Sequence, residues 1–364
     1  MVEDLLAIER YRSSLEFLDL PTRVKQEMVF KAKVKRTHFS TSIEGNILSY
    51  DQVERVINKK SVATSVNAER EVLNYWDALT KLEEWRMEGR EVTVDFIMAL
   101  HDVIVKKGAR PSKVGLRGAT RPGVLFAGYD SSSGIVDYIP PEWSDVPQLV
   151  EDLVDWYRDE DVLPVPVRAA IFHYQLATIH PFDDGNGRCA RAVATYILME
   201  HGYDFKGFNS MEEYYASDLA GYYSNLQMGL PALYYEGRND PPHLERWIEY
   251  FVHMMALNAQ GIYEAAVAAR LDNPSNELVR SLSKKDRKML RYVLEKRLDI
   301  IKTAELADLF MVSTRSMRRW CQDWVARGIL VAHAVNGRVM SYSLAEKYAA
   351  VELHDLGFAD EEEA

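Results

Sequence analysis

Residues 180–191 read His180-Pro181-Phe182-Asp183-Asp184-Gly185-Asn186-Gly187-Arg188-Cys189-Ala190-Arg191. Apolar residues recur at helical spacing on both sides of this stretch, which predicts one helix over residues 167–179 and another over 188–199. The stretch is therefore a turn that opens the second helix. The first N–H groups of a helix have no acceptor within it, and Gly185 and Gly187 carry no side chains. A concave nest that binds an anion is expected there.

Charged side chains in the same stretch suit the transfer of a phosphoryl or nucleotidyl group. Arg188 and Arg191 are three residues apart on the predicted helix, so both project along one face. Asp184 beside a phosphate nest suits Mg²⁺, which takes one or two carboxylates together with phosphate oxygens. His180 can accept a proton from an incoming hydroxyl group. The plain alternative is a capped helix-loop-helix with a surface histidine and a solvated arginine pair.

The stretch resembles the signature of the Fic family, H-x-F-x-(D/E)-G-N-G-R-x-x-R, at every specified position. The resemblance implies a mainly α-helical Fic core with a β-hairpin flap, and a protein adenylyltransferase that uses ATP and Mg²⁺. It assigns His180 as the catalytic base and Asp184 as the Mg²⁺ ligand. The nucleotide would contact Gly185, Asn186, Gly187, Arg188 and Arg191. Gly187 separates the chain from the kinase-like Doc branch, which has lysine at that place.

A second motif lies ahead of the predicted core and reads Ser40-Thr41-Ser42-Ile43-Glu44-Gly45. Taken alone, Glu44 is an exposed carboxylate at a helix C-terminus, where the macrodipole disfavours an anion. The spacing also resembles the inhibitory helix of Fic proteins, (S/T)-x-x-x-E-(G/N). By that resemblance Glu44 pairs with Arg191 and denies this arginine to the γ-phosphate of ATP. Removal of AMP from a target, with Glu44 orienting water, stays open as an alternative activity.

Residues 115–141 are rich in glycine and serine and contain two short strand-like runs around a polar loop. This pattern predicts a β-hairpin. In Fic proteins a hairpin here is a flap that aligns the target's main chain by strand addition. The resemblance therefore implies a target contact at Val124, Leu125 and Phe126. An ordinary connecting hairpin is the alternative.

Tyr222 and Tyr223 lie in a helix predicted over residues 212–226. Aromatic residues at this spacing suit the core of a helical protein. Fic relatives place a Tyr-Tyr pair at about this distance after the signature, against the nucleotide base and ribose. The resemblance therefore assigns both tyrosines to the nucleotide. Leu230 stands where such relatives often have asparagine, so the preferred base stays open.

The composition is that of a globular protein, with 364 residues of which 47% are hydrophobic and 27% are charged. Cys189 and Cys321 are the two cysteines, which excludes a disulfide framework. No apolar run approaches the length of a membrane span, and the first residues do not resemble a signal peptide. We therefore expect a cytoplasmic protein that contacts no membrane.

Residues 284–346 carry 13 basic and 7 acidic side chains in a chain whose net charge is −11, which marks a separate basic module. Helices are predicted over residues 285–297, 303–310 and 313–327. Two strands follow, joined by Asn336-Gly337, a strong hairpin signal. Three helices and a hairpin resemble a winged helix-turn-helix. The outer face of its third helix carries Arg315, Arg318 and Arg319.

These arginines suit contact with phosphates, so the alternative function is a nucleotide-sensing regulator that binds DNA. A target-selecting appendage is favoured, because the rest of the chain is acidic. The partners would then be ATP and a protein with an accessible Ser, Thr or Tyr hydroxyl group, and the oligomeric state stays open. The expected domains are an N-terminal helical region with the inhibitory helix at residues 1–66, the Fic core at 67–270, a linker at 271–284, the winged-helix-like domain at 285–346 and an acidic tail at 347–364.

Overall fold

The computed structural model describes the chain except residues 61, 63, 107–114, 121–127, 130–135, 272–277, 280, 336, 350, 352 and 357–364. The chain divides into two compact units. The first comprises Met1–Phe17 and Gln26–Glu264, and the second comprises Leu18–Lys25 and Ala265–Ala364. Helices dominate the described residues, so the predicted mainly α fold is confirmed. Within these residues, none of the helices has both the length and the apolar character that crossing a membrane requires.

Helices also surround the signature, as predicted. The elements up to residue 271 are α1 (Val2–Phe17), α2 (Thr22–Ile43), α3 (Tyr50–Ile57), α4 (Val66–Glu88), α5 (Val94–Val105), β1 (Gly128–Tyr129), β2 (Val136–Tyr138), α6 (Val146–Asp159), α7 (Val165–Ile179), α8 (Asn186–Glu200), a 3-10 turn (Phe205–Gly207), α9 (Met211–Ser217), α10 (Leu219–Gln227) and α11 (Leu244–Leu271). The two helices predicted on either side of the signature are confirmed as α7 and α8.

Local sequence sets the ends of the helices that meet at the signature. Ser65 and Thr93 cap α4 and α5, because each side chain accepts a backbone N–H from the first turn. α7 ends at His180, which has the left-handed values φ 51° and ψ 58°. α8 begins after Gly185, whose φ of 82° suits a residue without Cβ. Two left-handed residues therefore reverse the chain between α7 and α8.

α8 is the central helix of the first unit. It packs against α4, α5 and α7, and its residues 188–199 are all buried. The burial of apolar surface contributes about 25 cal/mol per Å², so a helix enclosed in this way is firmly held. The N-terminus of α8 is consequently presented by a rigid part of the core.

The predicted hairpin is present in the described residues, where β1 and β2 pair in an antiparallel manner. Val124, Leu125 and Phe126, the predicted target contacts, lie outside the described residues. Beyond β2, the N–H of Ile139 donates to the carbonyl of Ala232, and the carbonyl of Ile139 accepts from the N–H of Tyr234, both at 2.9 Å. The segment that follows the hairpin is therefore tied to the loop after α10.

The second unit has the predicted order of three helices and a hairpin. These are α12 (Lys284–Glu295), α13 (Thr303–Leu309), α14 (Thr314–Ala326), β3 (Leu330–Val335) and β4 (Arg338–Leu344), followed by α15 (Glu346–Ala349) and a 3-10 turn (Leu353–Leu356). The buried carboxylate of Asp286 accepts from the indole of Trp324 at 2.7 Å and from both terminal nitrogens of Arg327 at 2.9 and 2.7 Å. These bonds tie α12 to the end of α14.

Candidate active site

Arg191 lies on α8 with its side chain only 2% exposed. Its Nε donates to Ser40 Oγ at 2.9 Å, and its Nη2 donates to the Ser40 carbonyl at 2.9 Å and to Glu44 Oε1 at 2.8 Å. Burial lowers the pKa of Arg191, but the carboxylate of Glu44 together with Tyr222 and Tyr75 raises it above its ordinary value. The structure thus brings together the two residues that the sequence motifs pair, although 147 positions separate them.

The carboxylate of Glu44 also covers the first turn of α8. A Cβ added to Gly187 would overlap Glu44 Oε1 and would lie 3.1 Å from Nη1 of Arg191. The first N–H groups of a helix carry a partial positive charge, so a carboxylate is stabilised at this end. The carboxylate of Glu44, just after the end of α2, therefore occupies the place where the sequence predicts an anion site.

The loop ahead of α8 is fixed by the side chain of Asn186, which is 3% exposed. The N–H of Phe182 donates to Asn186 Oδ1, and Asn186 Nδ2 donates to the Phe182 carbonyl, both at 2.9 Å. The prediction assigns Asn186 to the nucleotide, whereas the structure shows its side chain engaged with this loop. What Asn186 can offer a phosphate is its backbone N–H at the start of α8.

His101 of α5 supports the same loop and was not predicted. Its ring stacks on Phe182 with centroids 3.6 Å apart and planes 4° apart, and its Nε2–H donates to the Asp184 carbonyl at 2.9 Å. Burial lowers the pKa of His101, which keeps the ring neutral near pH 7. The sequence gives no signal for this role, because a histidine on a buried helix face is commonly a core residue.

Asp184 presents an exposed carboxylate beside the helix N-terminus. The side chain is 64% exposed and forms an ion pair with the buried Arg188 at 3.2 Å. Among the residues that the structure describes, no cluster of three or more His, Cys, Asp or Glu side chains could hold a metal ion by itself. A single carboxylate fits Mg²⁺ when the other ligands are phosphate oxygens and water. Asp184 could therefore supply one carboxylate ligand to a Mg²⁺ ion that is bound together with a nucleotide.

His180 is held at the C-terminus of α7 in one tautomer. Its Nδ1–H donates to the Ala177 carbonyl at 3.2 Å; since a carbonyl can only accept, Nε2 carries the lone pair. Burial lowers the pKa of His180, and the bond to Ala177 opposes this shift. The rings of Tyr138 and His180 form a T-shaped contact, with centroids 6.1 Å apart. The ring is therefore neutral near pH 7, as a general base must be.

Arg117 contacts the His180 segment and was not predicted. Its Nε donates to the His180 carbonyl and its backbone N–H donates to the Pro181 carbonyl, both at 2.8 Å. Its Nη2 donates to the Pro141 carbonyl, beyond the hairpin. Arg117 is 6% exposed, and this burial lowers the pKa of its guanidinium. It is 63 positions away from His180 and belongs to no motif that the sequence reveals.

The structure separates the two tyrosines that the sequence assigns to the nucleotide. Tyr222 is 2% exposed, and its hydroxyl group lies 3.0 Å from Nε2 of the buried His173. Tyr223 is 38% exposed, and burial of its inner part raises the pKa of its hydroxyl group to about 12. Of this pair, Tyr223 is the residue with surface to offer a ligand, while Tyr222 packs in the aromatic core.

Fold and site together define a helical domain whose central helix presents an anion site at its N-terminus, with a neutral histidine just ahead of it in the chain. The model of the Fic/DOC family matches residues 91–198. This match contains α5 to α7, most of α8 and the whole signature. The chain thus contains a Fic/DOC domain.

Similarity to curated proteins extends beyond this domain. The chain is 29% identical over 257 residues to Protein adenylyltransferase fic-1 of Caenorhabditis elegans, which covers 66% of this chain and 48% of that protein. It is 28% identical over 204 residues to a probable protein adenylyltransferase of Aquifex aeolicus, which covers 55% of this chain and 54% of that protein. The chain therefore spans about half the length of these curated relatives.

Solved structures show the same fold. A Fic family protein from Desulfovibrio desulfuricans G20 superposes with a TM-score of 0.59 at 20% identity, covering 95% of both chains. Fic-1 from C. elegans superposes with a TM-score of 0.57 at 23% identity, covering 73% of this chain and 71% of that chain. The helical arrangement around the signature is thus the Fic fold.

Proposed function

We propose that this chain is a protein adenylyltransferase, which transfers AMP from ATP to a Ser, Thr or Tyr hydroxyl group of a target protein and is inhibited by its own Glu44. The observation that carries this proposal is the Glu44 carboxylate bound to Arg191 at the N-terminus of α8. A carboxylate bound at this position supports a phosphate-binding site in the signature. The names of the C. elegans and A. aeolicus relatives support AMP transfer as the reaction.

In this reaction His180 acts as the general base. Its Nε2 removes the proton of the target hydroxyl group, whose oxygen forms a bond to the α-phosphorus of ATP. The bond between that phosphorus and the bridging oxygen breaks, pyrophosphate leaves, and the proton remains on the imidazole. The tautomer fixed by Ala177 and the lowered pKa of His180 keep Nε2 ready to accept this proton. Such a base contributes on the order of 10²–10⁴-fold to the rate.

The phosphates of ATP would take the place of the Glu44 carboxylate. Arg191 and Arg188 would donate charge-assisted hydrogen bonds, and the N–H groups of Asn186 and Gly187 would complete the anion site. Asp184 would hold Mg²⁺, which would neutralise the charge of the leaving pyrophosphate. Both arginines are nearly fully buried, so their attraction for phosphate is weakly screened by water.

The proposal extends to parts of the chain beyond the signature. Tyr223 would contact the base or ribose, with Tyr222 supporting it from inside, and Val124–Phe126 would receive the target's main chain. We propose the same domain limits as above, with residues 285–346 as the module that selects the target. Its excess of 6 positive charges in an acidic chain supports that role. A cytoplasmic location belongs to the same proposal.

Labelled nucleotides test the proposed reaction directly. The purified protein and its Glu44→Gly variant are incubated with Mg²⁺, a cell lysate and ATP labelled at either the α- or the γ-phosphate. We expect protein bands that carry the α-label and not the γ-label, and we expect none with Glu44→Gly/His180→Ala. Label from the γ-phosphate would identify a kinase instead. The absence of α-label with Glu44→Gly would refute AMP transfer.

A further inference from the structure

We propose that Arg117 is a positioning residue, which holds His180 in its working orientation and ties it to the segment that follows the flap. This inference rests on the proposed function, because it assigns Arg117 a part in AMP transfer. Arg117 itself touches neither nucleotide nor target in the proposal. It acts through the two backbone carbonyls at positions 180 and 181 and through the carbonyl of Pro141.

The conformation of His180 needs an external support. Its φ of 51° and ψ of 58° are left-handed, which costs a residue with a Cβ about 1–2 kcal/mol. Such a conformation persists only where the surroundings impose it. Arg117 imposes it from two sides, because its Nε binds the carbonyl of His180 and its backbone N–H binds the next carbonyl, both at 2.8 Å. Without these bonds His180 can relax and carry its imidazole away from the reacting hydroxyl group.

Nη2 of Arg117 contacts the segment that follows the hairpin. Pro141, which accepts a hydrogen bond from Nη2, follows β2 by three residues. The intervening Ile139 is bonded in both directions to the loop after α10, so this segment is fixed independently of Arg117. Arg117 therefore joins the catalytic histidine to a fixed point at the base of the hairpin. A target strand aligned on the hairpin would be placed relative to the imidazole through this side chain.

Burial shows that the contact is specific. Removing a guanidinium from water is expensive, and a fully buried one is retained where its hydrogen bonds compensate for the loss. Arg117 is 6% exposed, and the acceptors described above are backbone carbonyls, whose positions are set by the fold. Lysine cannot reproduce this geometry, because an ammonium group lacks the planar fork that binds two separate carbonyls.

The charge of Arg117 gives a second, separable effect on His180. The positive charge of Arg117 lowers the pKa of His180, while the negative charges of Glu44 and Asp184 raise it; the Tyr138 ring also packs against the imidazole. Removal of the Arg117 charge therefore raises the pKa of His180. A general base with a raised pKa is protonated up to a higher pH, so the acid limb of the rate profile moves to higher pH.

The test compares Arg117→Lys and Arg117→Gln in the active Glu44→Gly background. With both variants we expect the AMP-transfer rate at saturating ATP to fall by about 10- to 100-fold, since a displacement near 1 Å can cost 10²-fold. The ATP concentration for half-maximal rate should stay within about twofold of the parent, because the phosphate site is elsewhere. The acid limb should lie at higher pH in Arg117→Gln than in Arg117→Lys, because only the lysine variant keeps the positive charge.

Arg168→Gln is the matched control. Arg168 also donates to a backbone carbonyl, that of Glu160 at 2.7 Å, and its guanidinium lies over the Tyr157 ring rather than the Tyr138 ring that packs against His180. We expect this variant to lower the melting temperature without moving the acid limb. An acid limb that moves equally in Arg168→Gln and Arg117→Gln would show a general loss of stability and overturn the inference. Parent-like rates in both Arg117 variants would overturn it too.

An NMR titration of the His180 ring keeps this inference separate from the proposed reaction. The pKa of His180 should be higher in Arg117→Gln than in Arg117→Lys, whether or not AMP is transferred, because both variants lose the bond to Ala177 and only Arg117→Gln loses the positive charge. The fraction of the ring protonated at Nδ1 should fall in both variants, because the orientation toward Ala177 is lost. An unchanged pKa and tautomer in Arg117→Gln would refute the role of Arg117. A parent that transfers no AMP would refute the proposed function instead.

Discussion

Replacing Glu44 by glycine tests whether this residue inhibits the enzyme. The change removes the carboxylate that contacts Arg191 Nη2 at 2.8 Å and uncovers the first turn of α8 at Gly187. Arg191 does not become unsatisfied, because its bonds to Oγ and to the carbonyl of Ser40 remain. Glu44 follows the last residue of α2, so glycine does not interrupt that helix. We expect Glu44→Gly to bind ATP productively and to transfer AMP faster.

The size of the effect follows from the contact that ATP must replace. A hydrogen bond between charged groups contributes about 1.5–3 kcal/mol, which corresponds to roughly 10- to 150-fold in occupancy. Arg191 is 2% exposed, which favours the upper end of this energy range. Glu44, however, is 33% exposed, and its charge is partly screened by water. An increase of about 10- to 30-fold, from about 1.5–2 kcal/mol, is therefore expected.

The assay measures the initial rate of autolabelling with α-labelled ATP for the wild type, Glu44→Gly and Glu44→Gly/His180→Ala. Glu27→Gly is the control, because it removes a glutamate from α2, the helix that leads to Glu44, and breaks the exposed ion pair with Lys31. Glycine inside α2 also loosens the helix by about 1 kcal/mol. If Glu44→Gly labels no faster than the wild type, Glu44 is not inhibitory. If Glu27→Gly activates equally, loosening of α2 is the cause rather than loss of the carboxylate.

Four further expectations use the Glu44→Gly protein as parent. His180→Ala should abolish AMP transfer with little change in the Kd for ATP, because the base acts in the transition state; near-parental labelling would contradict this. In the parent, the transfer rate should rise with pH with a midpoint below about 6.5, the ordinary pKa of histidine, since burial lowers the pKa of His180; a midpoint above about pH 7 would contradict this. Asp184→Ala should lose Mg²⁺-dependent turnover in a Mg²⁺ titration. Deletion from residue 275 onward should preserve autolabelling and reduce labelling of the target protein. Full target labelling by the truncated protein would exclude a target-selecting role of the C-terminal module.

The helices around the signature could be predicted because their signals are local. Apolar spacing and the turn at Gly185 predict residues 167–179 and 188–199, and the structure has Val165–Ile179 and Asn186–Glu200. The pairing of Glu44 with Arg191 came from the family resemblance, since no local pattern connects residues 147 positions apart. The structure also shows that the Glu44 carboxylate covers Gly187, a contact that the sequence alone does not indicate.

The supporting contacts could not be predicted, because they depend on tertiary packing. Arg117 and His101 reach the signature from segments with no motif, and each binds backbone carbonyls that every residue possesses. The two adjacent tyrosines show a second limit. Periodicity places Tyr222 and Tyr223 on a helix, but the packing of α10 decides which of them enters the core. Asn186 is a further example. The sequence suggests a nucleotide ligand, but in the structure its side chain forms two hydrogen bonds with the backbone of Phe182.

The bonds between Arg191 and Ser40 have a consequence for the speed of activation. They hold the guanidinium in place wherever the Glu44 side chain points. The site can therefore open by rotation of one partly exposed side chain, a motion of picoseconds to nanoseconds, without displacement of a whole helix over microseconds or longer. Glu44 then behaves as a tethered ligand with a constant local concentration. Mixing with ATP should start AMP transfer without a lag, and dilution of the protein should leave the degree of inhibition unchanged.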